Sequence, residues 1–435
     1  MLYNSAMKKF FAGKDEYAFS RLMYILEAGF EYFISLLITG AYLAKVTSDI
    51  GISDGVTGIL TAFVSLGYAF QVFALLLAGK RPVKKWVTFF HSVNQLCFAL
   101  VYLVPIFKVD ASAKTSLFIL FLLMGYVISN VILSPKMNWF MELVDDNKKG
   151  TFTATKEIVS LIGGVVTSVV ASVVIDHYEA KGELHTAFVI TSVAIFLLAV
   201  CHTLTLVLSK EKDLPPEENK RMGVLLKELF QYKRLRKIIF LCVLWNIATD
   251  ITTPFYGSYQ IKELGFSMTF VSVLAFVHAA ARAIVSHPFG KYADKTSFER
   301  VLLIGFILAA VGFAVNVFTA PNNGKYLYTV HYILYAVSLA AISGGLLNLV
   351  FTEVPARLRM CAYALEQGIS GLSGFLASTL GGLLVNYIQE NGNTLFGIPA
   401  YSQQVLSLLG VLFTLAGILW LIFGLKKEQT EQNEL

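Results

Sequence analysis

The stretch that decides the fold is Arg21–Lys45, RLMYILEAGFEYFISLLITGAYLAK. Between its cationic ends nearly every residue is apolar, aromatic or small. At about 1.5 Å per helical residue, that length crosses a hydrocarbon core of roughly 30 Å. A purely structural span would stop there. This one also carries Glu27 and Glu31, four apart and so on one helix face, with no Lys or Arg inside the span to neutralise them. A carboxylate at membrane depth is costly unless it is protonated, paired or in contact with a water-filled cavity.

Working outward, runs of the same kind recur along the chain. Apolar stretches bounded by charge and turn residues predict twelve spans, at 21–44, 54–78, 86–107, 113–134, 152–175 and 186–208, then 238–259, 267–287, 301–320, 327–350, 362–387 and 401–425. Composition agrees. The 435 residues are 56% hydrophobic with a mean hydropathy of +0.65, and charged residues make up 15%, against about 25% in a soluble domain. This is an integral membrane protein with all-α architecture.

The net charge of +6 would suit a nucleic-acid surface, but its distribution does not. With the N-terminus placed inside, 27 of the 35 Lys and Arg fall in inner segments and six in outer loops, with Lys156 and Arg282 inside spans. The positive-inside rule therefore predicts both termini in the cytoplasm, and the basic residues read as topology signals. Cys97, Cys201, Cys242 and Cys361 lie scattered in or beside apolar runs, with neither a disulfide framework nor a zinc spacing. The short basic N-terminus shows no cleavable signal pattern, so the first span is expected to act as an uncleaved insertion signal.

Residues 209–237 divide the spans into two sets of six, giving an expected first bundle at 1–208, a cytoplasmic loop and a second bundle at 238–435. The loop opens as a proline-broken polar linker. It continues GVLLKELFQYKRLRK, where Val224, Leu225, Leu229 and Phe230 suggest a short amphipathic helix at the inner surface; a solvated linker is the alternative. Shifting the chain by 210 residues lays Asn138–Tyr178 on Asn348–Ile388 without gaps. It matches Asn138/Asn348, Val144/Val354, Ala154/Ala364, Ser160/Ser370, Gly164/Gly374 and Ser168/Ser378. Coming at the same topological place in each set, these identities point to a parallel repeat.

The inner loop between spans eight and nine reads GKYADKTSFER. Its Gly290, Asp294, Lys295 and Arg300 resemble the signature loop of the major facilitator superfamily. The first-half counterpart, AGKRPVKKW, keeps Lys80, Arg81, Lys84 and Lys85 but lacks the acid. With twelve spans, a 6+6 repeat and a long central loop, the resemblance covers nearly the whole chain. It implies two six-helix bundles rocking about a midplane site, with spans one, four, seven and ten lining the cavity. It also implies that Asp294 latches one conformation by capping a helix N-terminus in the other half, where unsatisfied amides favour an anion. The start of span five near Thr151 is the expected partner; a local salt bridge is the alternative.

The candidate coupling and substrate residues follow from polar groups at membrane depth. Glu27 and Glu31 come first, Glu27 being the better brace; pairing with Lys156 or Arg282 is the structural alternative. Asn246 and Asp250 lie one turn apart on span seven, and Pro254 should free the Asp250 carbonyl and break the helix. His278 and Arg282, also four apart, face either a substrate anion or one of these acids. Gln71, Asn130, Tyr335 and Ser338 could orient a ligand or join helices. His91, Asn94 and Gln95 on span three are expected to serve packing. Lys156, Glu157, Glu366 and Gln367, at equivalent repeat positions near the inner face, suggest a gate. The glycines of span eleven read as close-packing positions.

No GxxxxGK[ST] occurs, so this sequence supports no ATP-driven transport, and no metal or cofactor is expected. GISDG at Gly51–Gly55 mimics a serine-nucleophile pattern but precedes a helix without the required strand. Ser53 or Asp54 is expected to cap span two instead. Span five lacks a Gly-Pro-rich motif. The expectation is therefore a non-enzymatic secondary transporter, monomeric, in a bacterial cytoplasmic membrane. It would move a small polar or charged solute by proton-coupled symport. A proton-driven exporter of amphipathic compounds and a non-transporting receptor or scaffold are the alternatives.

Overall fold

Five helix pairings of the first six spans return in the second six, and that repetition defines the architecture. Span one packs on five and six as span seven packs on eleven and twelve; three on four and six as nine on ten and twelve; two on four as eight on ten. The computed structural model describes residues 15–77, 82–145, 149–213, 222–355 and 358–425.

In chain order, span one is Ala18–Leu37 with Gly40–Asp49, span two Asp54–Thr61 with Phe63–Leu77, span three Lys84–Val101, span four Ala111–Met141, span five Lys149–Ala180 and span six Leu184–Leu208. Then come span seven from Lys233 to Glu263, span eight Met268–Lys295, span nine Phe298–Val317, span ten Gly324–Thr352, span eleven Arg359–Glu390 and span twelve Ser402–Leu425. Among the described residues nine helices are long and apolar enough to cross a membrane, or ten if the bent pair of span one counts as a single crossing. Spans two and three are covered by shorter helical pieces, so the predicted twelve correspond to twelve helical segments of which not all pass on length and apolarity alone.

The lipid-facing surface carries the repeat in its own register. On span five Ile162, Val166, Val170 and Val173 are exposed; on span eleven so are Leu372, Leu376, Leu380 and Leu383, each 210 residues later. Such a stripe would be untenable in water, but in acyl chains it has no reason to hide. The opposite face of each helix packs on the first span of its own half. Gly164 meets Tyr32 and Leu36, and Gly374 meets Asp250.

Spans one and seven are both broken. In span one the break falls at Gly40, whose φ of +55° only glycine adopts freely, and the two pieces are bent by 46°. Span seven stops at Asp250, makes a 3-10 turn at Thr253–Phe255 around Pro254, and ends in a π turn at Tyr259–Glu263. The carbonyl of Asp250 takes a 2.5 Å bond from Ser378 Oγ instead of an intrahelical one, as the proline predicts. Ser168, the repeat mate of Ser378, is likewise bonded to span one, accepting from Tyr42 through its carbonyl at 2.6 Å.

The expected amphipathic helix is Met222–Leu229. Leu229 is buried in the core of the second half and Leu225 packs against it, whereas Val224 and Phe230 stay exposed. Span seven then starts at Lys233, earlier than predicted. Ser53 caps span two by accepting from Val56 N at 3.4 Å. The proline-broken part of the linker and the basic residues Lys8, Lys9, Lys14, Lys80 and Arg81 lie outside the described residues.

Candidate functional site

Bonds that cross between the two halves gather at the end predicted to face outward. Tyr42 OH of span one meets Ser172 Oγ at 2.6 Å and Ser272 Oγ of span eight at 3.0 Å. Asp176, near the C-terminal end of span five, accepts from Met268 N at 2.9 Å and Thr269 N at 2.8 Å, and so caps span eight. Asp54 pairs with Lys262 at 2.5 Å and accepts from Gln389 at 3.0 Å. Glycines permit the approach. A Cβ on Gly257 would lie 2.3 Å from the Gly40 backbone, one on Gly58 2.0 Å from the Phe255 ring, and one on Gly382 2.6 Å from Gly55 O.

The opposite end is arranged differently. Gly290, Asp294, Lys295, Arg300 and Glu157 are exposed. Among the described residues the side chains of Asp294, Lys295 and Arg300 make no hydrogen bond or ion pair. Span five begins at Lys149, three residues before the expected 152, and the Thr151 side chain lies outside the description. Lys156 sits over the Tyr24 ring at 5.1 Å. Glu366 is buried, accepting from Gln367 at 3.0 Å and Ser370 Oγ at 2.6 Å through its carbonyl. Contacts between the halves thus gather at one end of the bundle, while these loop side chains are exposed at the other.

At membrane depth the first half holds an ion cluster. Lys136 Nζ lies 2.8 Å from Glu27 Oε1, 2.5 Å from Glu31 Oε2 and 2.8 Å from His91 Nε2. His202 Nε2 adds a 3.0 Å bond to Glu27 Oε1. The three ammonium hydrogens thus find three acceptors. His91 Nε2 also lies 3.3 Å from Glu31 Oε1, so the ring touches both the ammonium and the carboxylate. Glu27, His91 and His202 are fully buried and Lys136 is 2% exposed, while the Glu31 side chain keeps 26%. Glu31 is the mouth of the cluster. Pairing with Lys156 or Arg282 does not occur; the partner is Lys136. Span four was expected to end at 134, which placed Lys136 in a loop, but the helix runs through Pro135 to Met141. His91 is no packing residue, and His202 on span six had no signal apart from being a histidine in an apolar run.

Glu27, His91 and His202 bring donor atoms within 4.8 Å of one another, a spacing that a metal ion would accept. The Lys136 ammonium already occupies two of those acceptors, so a metal would have to displace it. The arrangement is a cradle for an ammonium group.

Asp250 bonds across the halves to Ser65 Oγ of span two at 2.6 Å. Asn246 donates to the Cys242 carbonyl at 2.9 Å. Gln71 donates to Asn130 at 3.1 Å, joining spans two and four. Arg282 reaches Ser343 Oγ of span ten at 3.1 Å and makes no ion pair among the described residues. His278, one turn earlier on the same helix, lies 6.1 Å from the Tyr335 ring. His278 packs on Tyr332 at 4.7 Å, and Tyr335 is 9% exposed. Ser338 turns back to the Tyr335 carbonyl at 2.7 Å, so it serves its own helix.

The family model of the Major Facilitator Superfamily matches residues 24–378. The chain belongs to the major facilitator superfamily. Among solved structures, a variant of the nucleoside transporter NupG aligns with a TM-score of 0.74 at 14% identity, covering 94% of this chain and all of that one. The D-xylose-proton symporter gives 0.70 at 12% identity, covering 92% and 97%. A bacterial homolog of the human lysosomal transporter Spinster, inward-facing and unoccupied, gives 0.66 at 14% identity, covering 94% and 97%. No curated protein matches. At these identities the likeness shows the fold alone; the family match is what marks the chain as a transporter, not an enzyme, and the solute is left to the site itself.

Proposed function

We propose that this major facilitator protein is a proton-coupled symporter of a small organic solute, with Glu31 as the entry point of the coupling proton. One observation carries the reading. Two carboxylates, one ammonium and two imidazoles meet in one buried cluster, and of the two carboxylates only Glu31 keeps part of its side chain exposed. Breaking buried charge pairs is expensive, so such a cluster responds sharply to a change of one proton. A proton taken up at Glu31 would loosen its hold on Lys136, and its release on the other side would restore the pair. Alternating access between the two six-span halves supplies the two sides, with Asp250 as a second candidate proton site. Basic residues at the inner end support cytoplasmic termini in a bacterial cytoplasmic membrane, and we take the working unit to be a monomer.

Proteoliposomes test this. Glu31→Gln should abolish accumulation driven by a pH gradient while solute exchange continues. Undiminished accumulation would remove the coupling role. An exporter would load inside-out vesicles with an acidic lumen, and a scaffold or receptor would move nothing in either direction.

A further inference from the structure

We infer that the solute is a small organic anion, a carboxylate or phosphate with an apolar or aromatic body, and that Arg282 binds its charged group. This rests on the transport reading and narrows its substrate class.

Arg282 lies near the middle of span eight, fourteen residues from Met268 and so about 21 Å along the helix. A guanidinium at that depth ordinarily faces a counter-charge or water. Here the side chain is exposed and uses one of its five N–H groups, on Ser343 Oγ, whose own hydrogen goes to the Leu339 carbonyl at 2.7 Å. The two acids nearest in role are committed elsewhere: Glu31 to Lys136, and Asp250 to Ser65. The fork that remains open matches a carboxylate or phosphate in a bidentate arrangement. One turn before Arg282 on the same helix stands His278, whose ring lies 6.1 Å from that of Tyr335 on span ten. Tyr332 packs on His278 and extends the aromatic wall. Such a wall suits an apolar or ring-shaped body attached to the anionic head.

The test uses pairs that differ only in the head group: acetate and acetamide, benzoate and benzamide, nicotinate and nicotinamide, phenyl phosphate and phenol. Each is titrated calorimetrically against the full-length protein in detergent. At least one anion should bind tenfold or more tightly than its neutral partner. Arg282→Gln should erase that preference, and Arg282→Lys, which keeps the charge but not the fork, should retain only part of it. A phosphate that outranks every carboxylate identifies the head group. Equal binding of acid and amide, no binding by any acid, or a preference that survives Arg282→Gln overturns the inference. Should the glutamine variant not fold, wild-type discrimination and the lysine variant decide. An anion that binds but does not accumulate in gradient-loaded proteoliposomes sinks the transport reading instead. Gradient-driven uptake of a neutral solute with no anion binding sinks this one alone.

Discussion

At the scale of single residues, Lys136 organises the first half. Its ammonium meets Glu27, Glu31 and His91 at once, and removing it leaves two carboxylates facing each other at membrane depth. Breaking a buried pair from one side costs about 3–5 kcal/mol. Lys136→Met should therefore lower the unfolding midpoint in detergent markedly. Glu31→Gln, at the partly exposed mouth, should lower it far less. Equal losses would mean that Glu31 is as structural as Glu27. The two acids were legible in the sequence because carboxylates in an apolar run stand out. Lys136 was not: two residues past the expected end of the apolar run, it counts as a loop charge until the helix is seen to continue through Pro135.

At the scale of elements, the breaks in spans one and seven meet each other. Gly257 lies against the backbone of Gly40, where a Cβ would come within 2.3 Å and neither main chain can yield cheaply. Gly257→Val should wedge the outer ends apart and shift the population outward-open. A cysteine placed at Ser172, now sealed by Tyr42 and Ser272, should then react with a membrane-impermeant maleimide added outside. Unchanged reactivity would show that this contact does not hold the outer end shut. The break in span seven was predictable from Pro254, and the small-residue register of span eleven from its glycines. Gly371 meets the Ser65 carbonyl, Gly374 meets Asp250 and Gly381 meets Phe255. Nothing local says that Gly40 and Gly257 touch, since that depends on how two distant helices are brought together.

At the scale of the whole molecule, two carboxylates stand at opposite ends of the helical bundle. Asp176 caps span eight across the interface between the halves. Asp294 is free at the inner end, as a latch for the opposite state would be. Their neutral variants should act in opposite directions. Asp176→Asn should raise the outward-open population, and Asp294→Asn should deepen the inward-open one. Spin-label distances across the outer ends of spans five and eight, measured in both variants, read the sign directly. Shifts in the same direction would remove Asp294 from the latch role.

By itself the chain determined its solvent, its all-helical spans, their repeat at a 210-residue offset and its family, because each is written in local hydropathy and in spacing along one strand of sequence. It also exposed the acids and Arg282 as anomalies. Only the tertiary structure decided which groups meet: that Lys136, His91 and His202 enclose Glu27, that Asp250 answers to Ser65, and that Arg282 makes no ion pair among the described residues. Coulombic and hydrogen-bonding partners at membrane depth come from helices far apart in the chain. Distances of a few ångströms between them are set by helix rotation and glycine contacts, which apolar periodicity does not encode.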